Sequence, residues 1–563
     1  MYKNCYVVKK PDVWNVYDVH LWTDEGYTVE EFQNYGYQEC DEYHATHRGL
    51  KDEPLKKVYN WGRETQGLHY ADHTRGNVHT KFLIDKYGTN DEPSVTHREV
   101  FFDIEIEIGG ALTPEYIQQA PMPITSIAWW DKQADEWAIV ILDKTGEIKA
   151  GIQDGREIIP VKRENDLIDV FLSRMEVIQP DILVGYNSDY FDIPYIYYRI
   201  KNRLGERTAK RLSPIRIVEE RDKRWYPDQP IRIAGVTSLD YMRLHKKYSF
   251  QQEPSMKLDF LGEKYVGQKK IEYNGSLDRL FAEDKQKFIE YNFVDVLILK
   301  KLDEKFKYLD LTKNISHKGK TLYEDVYQSS KTQDGAISAY LLNEGIIPPN
   351  KDPNPIIKKN YAGGYLFCPK TGIFNYMFDE DLTSLYPSII MSLNIGRETL
   401  IGRIVTTDDR DNRLALNDLK EMDPLDEFEV ENLERKSITM SVGELIKLIE
   451  QNSLAITANG TMFRTDKPST LSVVLAKWFD ERVEYKNAMK KAYKSGDKEL
   501  GAAYHMKQYT MKILLNSLYG ATALGSFRYG NVILSEAITL SGQRIIQESA
   551  LEANRVMNKE IKA

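Results

Sequence analysis

Apolar and acidic residues alternate strictly along Val100–Ile108. Phe102, Ile104, Ile106 and Ile108 fall on one side, and Asp103, Glu105 and Glu107 on the other. A period of two is that of a β-strand, so this segment predicts a strand with one apolar and one acidic face. Upstream, residues 1 to 97 are rich in tyrosine, histidine and charge, with a strand-like piece at Cys5–Val8 and a polar loop at Gly88–Pro93. Downstream, Ile124–Trp130 and Trp137–Leu142 read as neighbouring strands, Leu167–Val177 as an amphipathic helix and Ile182–Val184 as a short strand. This mixture continues to about residue 310 and predicts an α/β domain. Pro348, Pro349, Pro353 and Pro355 then punctuate a linker-like stretch. Residues 371–400 predict a strand and a tight turn, and 401–465 are charged and irregular except for a helical pattern at Val442–Gln451. Two long helices are expected between Ser472 and Leu518, parted by a turn at Lys494–Lys498, and a further helix from Ser535 onward.

The chain has 563 residues, too many for one core, and its length suggests about three to five domains. With 42% hydrophobic and 29% charged residues it reads as globular, not disordered. No apolar run approaches the length of a membrane span, and the start lacks the apolar stretch of a signal peptide. Cys5, Cys40 and Cys368 are widely spaced and odd in number, which excludes a disulfide framework or a zinc knuckle and points to a reducing cytoplasm. A net charge of −9 does not advertise a nucleic-acid binder, but its distribution matters more. Arg482, Lys486, Lys490, Lys491, Lys494, Lys498, Lys507 and Lys512 crowd one stretch against Glu484, Asp497 and Glu499. A solvated helix face would share that composition.

Two places gather candidate chemistry. Asp103 and Glu105 leave the same face of their strand, a pair of hard oxygen ligands suited to Mg²⁺ or Mn²⁺. Gly185-Tyr-Asn-Ser-Asp-Tyr-Phe-Asp-Ile-Pro-Tyr195 sets Asp192 between a strand and a helix, and Tyr291-Asn-Phe-Val-Asp295 puts Tyr291 and Asp295 on one helix face. These three segments, in this order and spacing, resemble the exonuclease motifs of family B DNA polymerases. The resemblance implies an RNase H-like 3′–5′ exonuclease domain in which Asp103, Glu105, Asp192 and Asp295 bind two metal ions and Tyr291 orients the attacking water. It assigns the ligand of the second motif to Asp192, leaving Asp189 as a turn residue and Phe191 as packing.

Asp381-Leu-Thr-Ser-Leu-Tyr-Pro-Ser-Ile-Ile390 combines a carboxylate, a turn holding an aromatic residue, and a proline. Spacing alone leaves Asp379 and Asp381 as rival ligands. The run resembles the first polymerase motif of the same family, which selects Asp381. That implies a second two-metal site with Asp381 and Leu382 as ligands, Ser384 and Leu385 offering amides to a triphosphate, and Tyr386 under the incoming sugar, with a buried core tyrosine as the lesser alternative. Lys512-Ile-Leu-Leu-Asn-Ser-Leu-Tyr-Gly520 resembles the family's fingers motif and places Lys512, Asn516 and Tyr519 on one helix face. Arg482 and Lys486 form a further pair one turn apart, read as triphosphate contacts. Tyr361-Ala-Gly-Gly364 matches the element that contacts template between the two activities.

The family's second catalytic aspartate has no counterpart: no aspartate follows Asp497, and only Glu536, Glu548, Glu552 and Glu560 follow Tyr529. The expectation is an α+β and α/β multidomain chain, the N-terminal part of a split polymerase similar to those of T-even-like phages. It comprises an N-terminal domain (1–97, with 315–370 returning to it), the exonuclease domain (98–314), a first part of the palm (371–470), helical fingers (471–530) and a truncated palm segment (531–563). Expected partners are primer-template DNA, dNTPs, a second polypeptide carrying the remaining palm and thumb, and through it a sliding clamp; no membrane is expected, and a phage protein would work in the host cytoplasm. The competing expectation is a stand-alone 3′–5′ exonuclease, or a nucleic-acid-binding regulator, with an inactive polymerase half.

Overall fold

The computed structural model of the chain describes residues 1–59, 67–71, 75–107, 109–222, 224, 226–249, 251–352, 362–367, 371–373, 381–405, 416–432 and 436–561. Ile108, Tyr361, Cys368, Asp379 and Glu380 lie outside them. Among the described residues no helix is long and apolar enough to cross a membrane. Cys5 is buried, Cys40 half-buried, and both are free.

At the N-terminus, Tyr2–Lys9, Val16–Thr23 and Gly26–Gln33 form an antiparallel meander. A second sheet runs in the order Ile346–Ile347, His47–Gly49, Pro54–Val58, Gly36–Glu39, Leu68–His69. Its first strand comes from some three hundred residues later in the chain, and Leu322 and Ile347 join the core of Tyr2, Val19, Leu21 and Phe82.

The alternating segment forms the strand Glu99–Ile106, fifth in a mixed seven-stranded sheet. The order is Gly151–Gln153, Arg156–Val161, Glu136–Leu142, Ile124–Asp131, Glu99–Ile106, Ile182–Gly185, Thr237–Asp240. This central strand is antiparallel to Ile124–Asp131, with Asp103 opposite Ala128 and Glu105 opposite Ser126, and parallel to Ile182–Gly185. Phe102, Ile104 and Ile106 enter one apolar core with Trp129, Phe171 and Ile196. The acidic face is also covered. The helix Lys285–Phe306 lies across it and buries Phe288, Ile289, Val296 and Leu299 in a second core with Phe101. Alternation on the strand therefore marks a covered sheet whose acids are enclosed, not a solvent-facing one.

Residues 400–464, irregular by sequence, hold an antiparallel sheet in the order Ser437–Ser441, Glu427–Asn432, Leu400–Val405, Thr461–Arg464, Leu454–Ile456. Short strands with charged outward positions hide their period in such a stretch. The helix Val442–Gln451 runs over the predicted span, and Ser441 and Glu444 close a capping box at its start. Thr470–Lys494 and Lys498–Thr522 pack as an antiparallel helical hairpin, turned at Gly496 (φ 82°), with Asp497 capping the second helix. The last helix, Val532–Ile561, begins three residues before the expected start.

The helical hairpin is rooted in the rest of the chain. The helices Tyr308–Gly319 and Ser329–Asn343 pack against Lys498–Thr522. They also cross each other so closely that a Cβ on Gly335 would lie 1.8 Å from the carbonyl oxygen of Gly319. Lys318 bridges Asp91 of the N-terminal region and Glu481 of the hairpin, at 2.7 Å each. Arg528 is fully buried. Its guanidinium donates to Asp334 (2.7 Å) and to the Pro349 carbonyl (2.6 Å) and lies 4.9 Å from the ring of Tyr70, tying three parts of the chain together. Asp334→Ala should cost about 3–5 kcal/mol, because it strands a buried cation. Thermal or urea midpoints should show that loss, and Asp334→Ala combined with Arg528→Met should recover part of it.

Candidate active sites

The exonuclease motifs converge at the carboxyl end of the central strand. Its ladder with Ile182–Gly185 ends at Phe101 opposite Val184. Beyond that point Asp192, first residue of the helix Asp192–Leu204, accepts a hydrogen bond at Oδ1 from the Ile104 amide at 3.3 Å. The crevice past the ends of parallel strands is where α/β sheets place their ligands. Carboxylate oxygens of Asp103, Glu105 and Asp295 lie within 4.8 Å of one another. Among the described residues this is the only group of three or more acidic, histidine or cysteine ligands so placed. Asp192 adjoins the trio through the strand amide but is not one of it.

Asn292 lies on the covering helix beside Tyr291. Its side-chain amide donates to Asp103 Oδ2 at 2.7 Å and its oxygen accepts from Ser126 at 2.8 Å, which fixes the Asp103 carboxylate against the neighbouring strand. Lys270, from the loop after the helix Leu258–Val266, donates to Asp295 Oδ2 and to the Tyr291 hydroxyl, the latter at 3.2 Å. Tyr273 meets the Tyr291 ring edge-on at 5.5 Å.

Burial and mutual repulsion dominate the electrostatics. Burial, then the charges of Asp295 and Glu105, raise Asp103 well above the ordinary carboxylate range. Burial and then Asp295 push Glu105 up to about 8. Asp192 is raised to about 7, mainly by burial, and Asp295 is raised by burial although Lys270 opposes it. Burial works against the Lys270 ammonium, yet Asp295, Tyr291 and Asp103 hold its pKa above the ordinary lysine value. Asp295 Oδ1 is buried without a hydrogen-bond partner among the described residues. Converging oxygens, an orphaned buried acceptor and carboxylates that resist ionising together fit a divalent cation bound among Asp103, Glu105 and Asp295.

Lys270, Asn292 and Asp240 carry no motif spacing and escape a reading of the sequence. Asp189, expected as a turn residue, does sit in the turn but is fully buried; its carboxylate pairs with Arg243 and accepts from Ser238, both at 2.7 Å. Burial, then Asp240, raise it to about 7. Phe191 is partly buried against the core on the Phe102 side of the sheet.

The second candidate site lies between the helical hairpin and the last helix. Asp381 is exposed and Leu382 half-buried ahead of a turn at Thr383 and Ser384, where Ser384 takes a left-handed φ of 52°. Tyr386 is not in the turn: it is the second residue of the helix Leu385–Ser392. Its ring lies 4.4 Å from that of Tyr519. A Cβ on Gly542 would come within 3.0 Å of it, and one on Gly364 within 3.2 Å of its hydroxyl. Gln543 holds the Gly363 carbonyl at 2.7 Å, so the tail of the Tyr-Ala-Gly-Gly element adjoins the same surface. On the hairpin, Arg482, Lys490 and Lys512 surround Lys486 and depress its pKa, Arg482 most strongly. Burial lowers that of Arg482, whose buried Nε has no partner among the described residues. Asn516 is exposed one turn beyond Lys512. Four cations brought together repel one another, and an anion among them would offset that repulsion.

Residues 72–261 match the exonuclease domain of DNA polymerase family B, and residues 322–563 match DNA polymerase family B itself. The first match stops short of Tyr291 and Asp295. The DNA-directed DNA polymerase of Escherichia phage RB69 is 28% identical over 90% of this chain and 59% of its own length. That of Enterobacteria phage T4 is 27% identical over 77% of this chain and 50% of its own. DNA polymerase 1 of Saccharolobus solfataricus is 24% identical over 81% and 48%. The chain thus spans about half to three fifths of the length of these relatives. With both family signatures on one chain, and with the phage enzymes among its relatives, the protein belongs to the family B DNA polymerases and carries their exonuclease domain.

Proposed function

We propose that the chain removes nucleotides from the 3′ end of DNA at the Asp103, Glu105, Asp295 cluster, and that it carries the incoming-nucleotide side of a polymerase site. The observation that carries this reading is the trio of converging carboxylates, two half-buried and one buried with an orphaned oxygen on Asp295, two of them within the matched exonuclease domain. In this reading residues 1–97 and 315–370 form the N-terminal domain, 98–314 the nuclease, 371–470 and 531–563 palm segments and 471–530 the fingers. Two bound Mg²⁺ or Mn²⁺ ions would lower the pKa of the attacking water and stabilise the leaving 3′-oxygen. Asp103, Glu105 and Asp295 hold them, with Asp192 alongside. Asn292 keeps Asp103 from rotating away. Tyr291 stays protonated, because burial and then Asp295 raise its pKa. It receives the Lys270 hydrogen bond on its oxygen, so its own O–H remains to orient the water.

On the polymerase side, Arg482, Lys486, Lys512 and Asn516 bind the triphosphate, with the amides of Ser384 and Leu385 opposite them. Tyr386 and Tyr519 frame the sugar and base, and Asp381 with Leu382 takes the metal. In this reading Asp381, exposed ahead of the turn, is the carboxylate assigned to this side. Exposed apolar residues on the last helix (Leu551, Val556 and Met557) offer a surface for more protein. The proposal is therefore a second polypeptide with the remaining palm and thumb, through which a sliding clamp would be engaged on primer-template DNA in the host cytoplasm.

With Mg²⁺ and a labelled primer-template, the chain should shorten the primer and fail to extend it when all four dNTPs are present. Asp103→Ala should lower the shortening rate by about 10²–10³-fold or more, since each 1.36 kcal/mol of lost stabilisation is about tenfold. Extension by the chain alone would overturn the two-polypeptide reading.

The raised pKa of Glu105 has a thermodynamic signature. Without metal, the folded chain keeps this proton up to about pH 8, whereas an unfolded glutamate releases it near 4.5. Folded protein then binds more protons across that window, so stability falls as pH rises through it. In EDTA, Glu105→Gln should melt higher than the unaltered chain by a margin that grows from pH 5 to pH 8. Mg²⁺, by binding the folded state of the unaltered chain, should shrink that margin.

Lys512→Ala should weaken dNTP binding about 10- to 100-fold, the loss of one charge-assisted contact, as read by titration with a fluorescent dNTP.

A further inference from the structure

A cavity of about 620 Å³ opens beside the turn that delivers Asp192. Its wall includes Asn187, Tyr190, Arg243, Lys246, Lys247 and Tyr327. Arg243, Lys246 and Lys247 stand three and four residues apart on the helix Tyr241–Tyr248 and so share a face. Arg243 is already engaged: it pairs with Asp189 at 2.7 Å and lies 3.8 Å from the ring centre of Tyr327. Its partner lies in the Asp192 turn, so the cavity wall and the carboxylate cluster are fixed to each other. The two lysines differ. Lys247 donates to the Ser329 hydroxyl at 2.8 Å, and among the described residues no carboxylate pairs with it. Burial alone pushes its ammonium down to about 8. Lys246 is exposed and likewise makes no ion pair among the described residues.

Two acids also border the cavity. Asp240 turns its charge into the protein, where Oδ1 accepts from the amides of Asn187 and Met242 at 2.9 Å and of Arg243 at 3.4 Å. Asp228 is exposed, where solvent screens it. Neither neutralises Lys247. A half-buried ammonium without a counter-ion is costly, and an anion entering the cavity offsets that cost.

Asn187 precedes Asp192 by five residues, and its carbonyl accepts from the Phe191 amide at 3.0 Å. Cavity and cluster therefore share one turn. A single strand whose 3′ end lies among the carboxylates keeps all its other phosphates on the 5′ side of the cut. We propose that this cavity binds one of those internal phosphodiesters, with Lys247 and Lys246 as its cationic contacts and the Arg243–Asp189 pair as its fixed wall. The inference rests on the exonuclease reading for the strand's direction, but its test does not need cleavage.

The probe is a fluorescent single-stranded oligodeoxynucleotide bound to Asp103→Ala protein, followed by anisotropy over a range of salt. Lys247→Met combined with Lys246→Met should weaken binding at least tenfold. It should also lower the slope of log affinity against log salt by about 0.7 for each lysine that meets a phosphate. Lys247→Arg should restore most of the affinity, which separates lost charge from lost folding. Unaltered affinity and slope in the double variant would overturn the proposal, and so would failure of the arginine variant to restore binding. A second arm uses protein with Asp103 intact and the p-nitrophenyl ester of thymidine 5′-phosphate, which has no further phosphate. The lysine variants should lose at least tenfold more kcat/KM on the oligonucleotide than on this ester; equal losses would count against the subsite. If the unaltered chain cleaves neither substrate, the exonuclease reading fails while the binding arm still decides the cavity.

Discussion

Asp103, Glu105 and Asp295 repel one another where little water screens them, and the nuclease domain is arranged to hold them there. Two unit charges about 4 Å apart interact by about 4 kcal/mol at an effective dielectric near 20, and their oxygens lie within 4.8 Å. The strand carrying two of the acids is clamped by ladders on both edges and by apolar cores on both faces. The third comes from a helix that buries Phe288, Ile289, Val296 and Leu299. At about 1.5–3 kcal/mol for each such side chain, that burial is of the same order as the repulsion among the three acids. Lys270 relieves one acid, and the Ile104 amide takes up an oxygen of a fourth. What remains unrelieved, the proton affinity of Glu105 and the orphaned Asp295 oxygen, is the part a cation can satisfy.

This accounts for what the sequence disclosed and what it withheld. Asp103 and Glu105 could be read because strand geometry converts spacing two into a shared face, and Tyr291 and Asp295 because helix geometry does so for spacing four. Asp192 was chosen over Asp189 only through the resemblance to the family's second exonuclease motif. Lys270 could not: it reaches Asp295 from a loop twenty-five residues away, and loop geometry has no period. Asp189 sits in a turn-forming stretch, and nothing local shows that Arg243, fifty-four residues on, buries its charge. The sheet of residues 400–464 was masked by outward charges on short strands, whereas Val442–Gln451 announced itself through its helical pattern. Tyr386 was misplaced by one structural step, because Ser384 takes the left-handed conformation and completes the turn before the tyrosine is reached.

Nuclease and polymerase parts share one continuous apolar core, reaching from Phe101 through Leu309 and Ile337 to Leu514 and Ile538. Lys318 adds a polar tie by holding Glu481, the residue before Arg482, against Asp91. The cationic hairpin is thus seated on the helices Tyr308–Gly319 and Ser329–Asn343 and tied to Asp91 of the N-terminal region. A shift of the hairpin must be absorbed by the packing of Tyr308–Gly319 and Ser329–Asn343, where the Gly335–Gly319 approach leaves no room for a side chain.

A net charge of −9 is what such a division of labour produces. Screening limits the reach of an exposed charge to about 10 Å at moderate salt, so a phosphate at Lys486 and Lys512 responds to those cations and hardly at all to the acids of the nuclease. The same holds within the nuclease. Buried carboxylates favour a cation at the cut, while Lys247, lacking a carboxylate partner among the described residues, favours an anion beside the same turn. On the proposed reading, a substrate that is itself a string of anions meets an acidic wall through the cation and a basic wall directly. The local sign of each wall, and not the summed charge of the chain, then decides what binds there.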